Sequence, residues 1–357
     1  MADKKSLGLS GILILCCVGC AAILAALAGS MLYRTAAETA HRSLAAAVTL
    51  RTSSAAEEFA RSIARDWDTL KFLETSQAEA DPDRLRAMFD GIAGDGKRVS
   101  WAGFATLDGT VQVATNGLLE GADVSARPWF RAGLQAGFAG DVHEAVMLNR
   151  LLGGSETDPL RFVDLARPAT RDGRVRGVYG VHLSIDWAEE LLKEIAQARN
   201  MDLLLISQEG KVVMSSTGDV PDASNSSSLR AAAAGVRADL RETWPDGIDY
   251  VSSIQPAIAW GDLPSFGWRI VGRMPIDAAQ VVLQKGTISI LLTAAMIFTL
   301  LLAAAAAFSL IFLRPISTLA GTASRQAKGE DAYPAEYGSS REAFQLSAAL
   351  SRLAVRD

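Results

Sequence analysis

Five residues between positions 127 and 164 have side chains suited to holding a small molecule: Arg127, Trp129, Asp141, His143 and Asp164. Arg127 offers a planar fork of donors that matches a carboxylate or a phosphate. Trp129 offers an apolar face and one N–H, and Asp164 a negative charge that suits an amine. Gathered around one space, these groups would recognise a small zwitterion or organic anion. Asp141 and His143 stand two apart, so a strand would put both on one face, about 6–7 Å apart. Asp164 would share its face with Phe162 and Ala166.

Each residue also has a purely structural reading. Arg127 would equally pair with Asp123 or cap a helix, and Trp129 would fill a core position. Asp141, His143, Glu144 and Asp164 would line a solvated sheet face. The three histidines, His41, His143 and His182, are too scattered along the chain for a metal site, so no metal is expected and His182 is read as structural.

Catalytic signatures are missing. The sequence contains no Gly-x-Ser-x-Gly, no phosphate-binding Gly-rich Lys loop and no His-Glu-x-x-His, so neither an enzyme nor a cofactor is expected. With 35 Lys+Arg against 40 Asp+Glu, for a net charge of -5, the balance argues against nucleic-acid binding.

The candidate residues need a scaffold, and the surrounding pattern supplies one. Residues 34–76 contain no Gly or Pro, and Leu44, Val48, Ala55, Phe59, Ile63, Trp67, Leu70 and Leu73 recur at steps of three, four and seven. That spacing predicts one amphipathic helix on the order of 60 Å long, a stalk or dimer seam. Two shorter core helices broken near Ser53 and Ser54 fit the same pattern. A second helix opens at Asp81-Pro82. A hairpin then spans 101–115 around Asp108-Gly109. A helix over 125–136 precedes strands at 138–146, 161–170 and 175–185, and a helix over 186–198 closes the unit.

The order then repeats. Residues 203–216 copy the first hairpin 101 residues on, and 229–234 copy the helix before Gly137. The run 162–169 aligns with 250–257 without a gap, which places Ser252 opposite Asp164. Two stacked modules of about 100 residues follow. Residues needed only for folding should occur in both copies, whereas the second copy has a plain Ala-rich helix opposite Arg127 and Trp129. The ligand site is therefore expected in the first copy.

Two uncharged runs of 28 residues, 6–33 and 286–313, flank this region. Each exceeds the ~20 apolar residues that span a bilayer as a helix. All three cysteines, Cys16, Cys17 and Cys20, lie in the first run, so disulfides do not hold the middle together. The run continues 13 residues past Cys20, which argues for a membrane helix over a cleaved lipid anchor. Near the spans, Lys4, Lys5, Arg314, Arg325 and Lys328 stand on one side against Arg34, Arg42, Arg273 and Lys285 on the other. That balance leans toward an outside-facing middle region.

A stalk helix and two tandem antiparallel-sheet modules between two spans resemble the double Cache sensor domains of bacterial receptors, which are PAS-like in fold. The resemblance covers residues 34–285, through Arg127-Pro128-Trp129-Phe130 and the Asp164 strand. Amino-acid-sensing members have a similar Arg-x-Trp-Tyr/Phe helix start that binds the ligand carboxylate, and a later Asp that binds its amine. This resemblance adds Phe130 to the candidate residues. The sequence departs from the pattern at Ala122, where a Tyr is expected, and at Phe130, which lacks a hydroxyl. Beyond the second span, Arg314-Pro315-Ile316, the series Ile316, Leu319, Ala323 and Gln326, a connector with Pro334, and Glu342, Leu346, Leu350 and Leu353 are similar to a HAMP signalling module. That resemblance implies a parallel homodimer.

The expected class is α+β, with a long stalk helix, two PAS/Cache-like antiparallel-sheet modules, two transmembrane helices and a HAMP-like helical coiled coil. The expected organisation is a cytoplasmic N-terminus at 1–8, a span at 9–33, a periplasmic sensor at 34–285, a span at 286–313 and a HAMP-like module at 314–357. The sensor divides into a stalk at 34–78, a distal module at 79–198 and a proximal module at 199–285. The expected function is a bacterial inner-membrane sensory receptor in contact with lipid. It would bind a small organic acid, amino acid or amine, act as a homodimer, and control an output domain or protein outside this chain. Rival readings are a membrane-anchored solute-binding protein and a ligand-free scaffold.

Overall fold

The apolar stripe of the first helix is consumed inside its own chain. In the computed structural model, which describes residues 9–354 except 154, 156, 158, 220 and 222–225, α1 runs Leu9–Ser76 without a break. All eight stripe residues from Leu44 to Leu73 are buried, in one cluster with residues of both sheets. The stripe is therefore the core seam between helix and modules and not the predicted dimer seam. Ser53 and Ser54 lie on the exposed side, where they leave the helix intact. The N-terminal segment expected at 1–8 lies outside the described residues.

Residues 41–280 form one compact unit, and the residues before and after form a second. In the first, α2 (Pro82–Ala93) starts at Asp81, whose side chain accepts from Arg84 N at 3.2 Å. That bond satisfies a backbone donor the first helical turn would leave open. The strands β1 (Val99–Thr106) and β2 (Val111–Ala114) follow, joined through Gly109 at φ +86°. Then come α3 (Pro128–Gly133), β3 (Phe138–Ala139), β4 (His143–Glu144) and α4 (Val146–Leu151). A long hairpin of β5 (Arg161–Arg171) and β6 (Arg174–Ser184) leads into α5 (Ile185–Arg199).

The second module contains β7 (Asp202–Ile206), β8 (Val212–Ser215), α6 (Ser227–Ala233), β9 (Asp239–Thr243), β10 (Asp249–Gln255) and β11 (Arg269–Pro275). The strand orders are β2-β1-β6-β5-β3, with β4 also on β5, and β8-β7-β11-β10-β9. With β3 and β4 counted as one strand, both copies have the order 2-1-5-4-3, and every pairing is antiparallel. The internal repeat is thus a repeat of topology.

One predicted strand is broken. Residues 138–146 divide into β3 and β4, because the partner of Ala139 is Leu165 while that of His143 is Phe162. One extra residue sits on the outer strand, a bulge that re-aims the side chains between. The helix predicted over 125–136 is also shorter, covering Pro128–Gly133.

In the second unit, two helices are long and apolar enough to cross a membrane, α1 in its N-terminal part and α7 (Asp277–Phe308). Beyond them, α8 (Arg314–Gln326) packs on α9 (Arg341–Ala354) through Leu319, Ala343 and Leu350. Ile316, Leu346 and Leu353, expected in the helical seam, are exposed.

Candidate ligand-binding site

Register brings the site together. In the first module His182 on β6 lies opposite both Trp101 on β1 and Asp164 on β5. Trp101, His182 and Asp164 therefore form one row across three neighbouring strands. Two residues further on, the same face carries Gly103, Gly180 and Ala166. A Cβ at Gly180 would stand 2.7 Å from the Trp129 ring, and one at Gly103 2.3 Å from the Trp101 ring. Two missing side chains thus leave room for two indoles against the sheet, tilted 56° to one another with centroids 5.8 Å apart.

Above this floor is a cavity of about 250 Å³. Trp101, Trp129, Phe138, Leu119, Val124 and Leu148 supply apolar walls, and Arg127, Asp141, His143, Asp164 and His182 supply polar groups. Both indoles are almost fully buried. Trp101 is pinned by its Nε1, which donates to Leu118 O at 2.9 Å. A concave, mostly apolar pocket with a few convergent polar groups is the usual form of a small-molecule site.

The polar groups are arranged in two parts. At the base, His182 Nδ1 makes a short hydrogen bond with Asp164 Oδ1, and His143 Nε2 stands 3.5 Å from Asp164 Oδ2. Asp164 and His182 are buried. Arg127, at the first turn of α3, is exposed; its side chain does not cap that helix, and Asp123 bonds instead to Ser125 N. Neither structural alternative for Arg127 is realised among the described residues. Arg127 instead borders the cavity.

Three expectations are corrected. Phe130 does not line the cavity: it is buried in the apolar cluster with Val178 and Ala166, edge-on to Trp129 at 6.0 Å. His182 is not a bystander, because its ring is part of the cavity base. The histidines are also not all scattered: His143 and His182 meet Asp164, with ligating atoms all within 4.8 Å of one another. Asp141 does line the cavity, yet its carboxylate does not join His143. Oδ1 accepts from Trp268 Nε1 at 2.7 Å and Val142 N at 2.8 Å, and Oδ2 from Gln208 N at 3.3 Å.

The second copy fills the corresponding row differently. Its row equivalent to Trp101–His182–Asp164 is Asp202–Arg273–Ser252. Arg273 pairs with Asp202 at 3.0 Å and stacks over Trp244 and Tyr250, and Trp244 Nε1 donates to Ser252 Oγ at 3.2 Å. The second row is Leu204–Val271–Ile254, where the first copy has Gly103, Gly180 and Ala166. The bulkier row on the sheet faces α6, whose sequence is rich in alanine. Among the described residues, the indole of Trp244 and the guanidinium of Arg273 occupy this row.

No family profile and no curated protein matches the chain. Solved structures do. The ligand-binding domain of the Pseudomonas aeruginosa PAO1 amino acid chemoreceptor PctB, in complex with L-Gln, matches with a TM-score of 0.51 at 16% identity, over 69% of this chain and 97% of that one. The ligand-binding domain of the Pseudomonas fluorescens chemoreceptor CtaA, in complex with L-leucine, gives 0.48 at 16%, over 68% and 99%. An extracellular domain assigned to a histidine kinase, rpHK1S-Z16, gives 0.48 at 14%, over 64% and 93%. The PctB match shows the fold: this chain shares the Cache-like fold of that domain.

Proposed function

We propose that this chain is a sensory receptor of the bacterial inner membrane whose outward-facing region recognises a small molecule in the first module. The observation that carries this reading is the contrast between copies. The second copy fills its row with its own Arg273 and Trp244, whereas the first leaves a space walled by indoles and floored by Asp164. A fold-only role would be met by the filled version. The PctB and CtaA domains are described with amino acids bound, and Arg127 with Asp164 would hold the two charged ends of such a ligand. An amino acid, an amine or a small organic acid is the ligand class we assign. The protein acts as a homodimer without catalysis, and the α8–α9 segment works as a HAMP-like relay. A ligand that binds one conformation better shifts the dimer toward it, and shifts of about 1–2 Å at interface helices would pass down the second span to an output outside this chain.

The test is a thermal-shift screen of the full chain in detergent against small acids, amino acids, amines and purines. A hit should vanish in Arg127→Ala and in Asp164→Ala but persist in Ser252→Ala. Equal losses in all three, or no hit from any class, would overturn the reading.

A further inference from the structure

The base of the cavity joins two imidazoles and one carboxylate on one sheet face. His143, Asp164 and His182 come from three adjacent strands, β4, β5 and β6, and their ligating atoms lie within 4.8 Å of one another. A four-coordinate zinc with bonds of about 2.0–2.1 Å separates its ligand atoms by about 3.4 Å. His143 Nε2 and Asp164 Oδ2 already stand at 3.5 Å. The site is incomplete on the cavity side, where a further ligand would enter. Two nitrogens and one oxygen select a borderline first-row ion over calcium or magnesium, which take all-oxygen shells.

The repeat again supplies the contrast. At the position of His182 the second copy has Arg273, a permanent cation that cannot ligate a metal, and at that of Asp164 it has Ser252. There an Arg–Asp ion pair suffices to close the fold. The first copy instead spends a buried carboxylate on two histidines, an arrangement the fold does not require.

We propose that His143 Nε2, His182 Nδ1 and the Asp164 carboxylate bind a divalent transition ion of the zinc type, with the open positions directed into the cavity. Water or the carboxylate or amine of an organic ligand completes the sphere. This inference rests on the reading of the cavity as the recognition site. Binding requires neutral imidazoles, so affinity falls as the solution is acidified.

The experiment uses the full chain in detergent, stripped with a chelator, with Cys16, Cys17 and Cys20 changed to Ser so that no thiol competes. Zn²⁺ is titrated calorimetrically, and Co²⁺ is followed by its visible absorption. One ion per chain is expected, weakened about tenfold or more by His143→Ala, by His182→Ala and by Asp164→Asn, and unchanged by Ser252→Ala in the second module. Should His182→Ala fail to fold, the more exposed His143 and the shape-conserving Asp164→Asn still decide the matter. No saturable binding, or binding that survives His143→Ala together with Asp164→Asn, overturns the metal site. Stabilisation by an amine or amino acid in excess chelator, without Zn²⁺ binding, overturns it too and leaves the receptor reading standing.

Discussion

Trp268, in the second module, donates its indole N–H to the Asp141 carboxylate, which borders the cavity of the first, at 2.7 Å. Gln208 N adds a second bond from the same module. Trp268 is itself stacked on Phe266 at 4.4 Å and packed near Phe59 of α1. The bulged segment between β3 and β4 is therefore tied to the second module by a charge-assisted bond. Such bonds contribute about 1.5–3 kcal/mol. A double-mutant cycle with Asp141→Asn and Trp268→Phe, read by unfolding, should give a coupling of about 1 kcal/mol or more. Additive losses would mean that the two modules are not joined through this pair.

Gly180 lies under the Trp129 ring. Gly180→Ala would push the indole away from the sheet, at a cost of about 1–3 kcal/mol. The displaced ring enters the ligand space, so ligand-induced stabilisation should fall along with the melting temperature. Intact ligand stabilisation in this variant would place the ligand elsewhere.

Trp244 plays the opposite part in the second module. It is buried, lies beneath Arg273 at 4.3 Å and bonds to Ser252. Trp244→Ala should cost about 3–5 kcal/mol by leaving a cavity and a guanidinium stacked on Tyr250 alone. Ligand stabilisation at the first module should survive it. Melting curves with and without ligand check both statements.

Asp66 on α1 carries a pH dependence of known sign. It is 1% exposed, and Arg98 reaches it at 3.0 Å. Burial pushes its carboxyl up to about 6, against the pull of Arg98 and Arg65. The folded state thus holds a proton that the unfolded chain, titrating near 4, has already lost. The destabilisation is absent below the unfolded value, grows between pH 4 and 6, and is complete above 6. It amounts to about 3 kcal/mol. Asp66→Asn should therefore raise the melting temperature at pH 7.5 and give little gain at pH 4. An equal effect at both values would exclude this origin.

The repeat, the two apolar spans and the long stripe on α1 were legible because each rests on periodicity within a short window. Leu44 to Leu73 mark one face of a helix whatever the rest of the chain does. The pairing of Asp164 with Ser252 across the copies was legible for the same reason. Arg127, Trp129, His143 and Asp164 could be chosen by chemistry, since the second copy lacks them. Phe130 could not be excluded, because one helical step decides whether a ring faces the cavity or the core.

His182 is the residue whose place only the tertiary structure decides. Counting back from the turn, where Arg171 pairs with Arg174, would set Val181 opposite Asp164. A bulge at Ala169/Thr170 shifts the register by one, and His182 takes that position. Because side chains alternate, a single inserted residue moves an imidazole from the far face of the sheet to the face that carries the cavity. The bulge between β3 and β4 likewise separates Asp141 from His143. The sequence alone determined the order of the elements and where the two copies differ. Cross-strand register, set by packing between residues far apart in the chain, determined which side chains meet there.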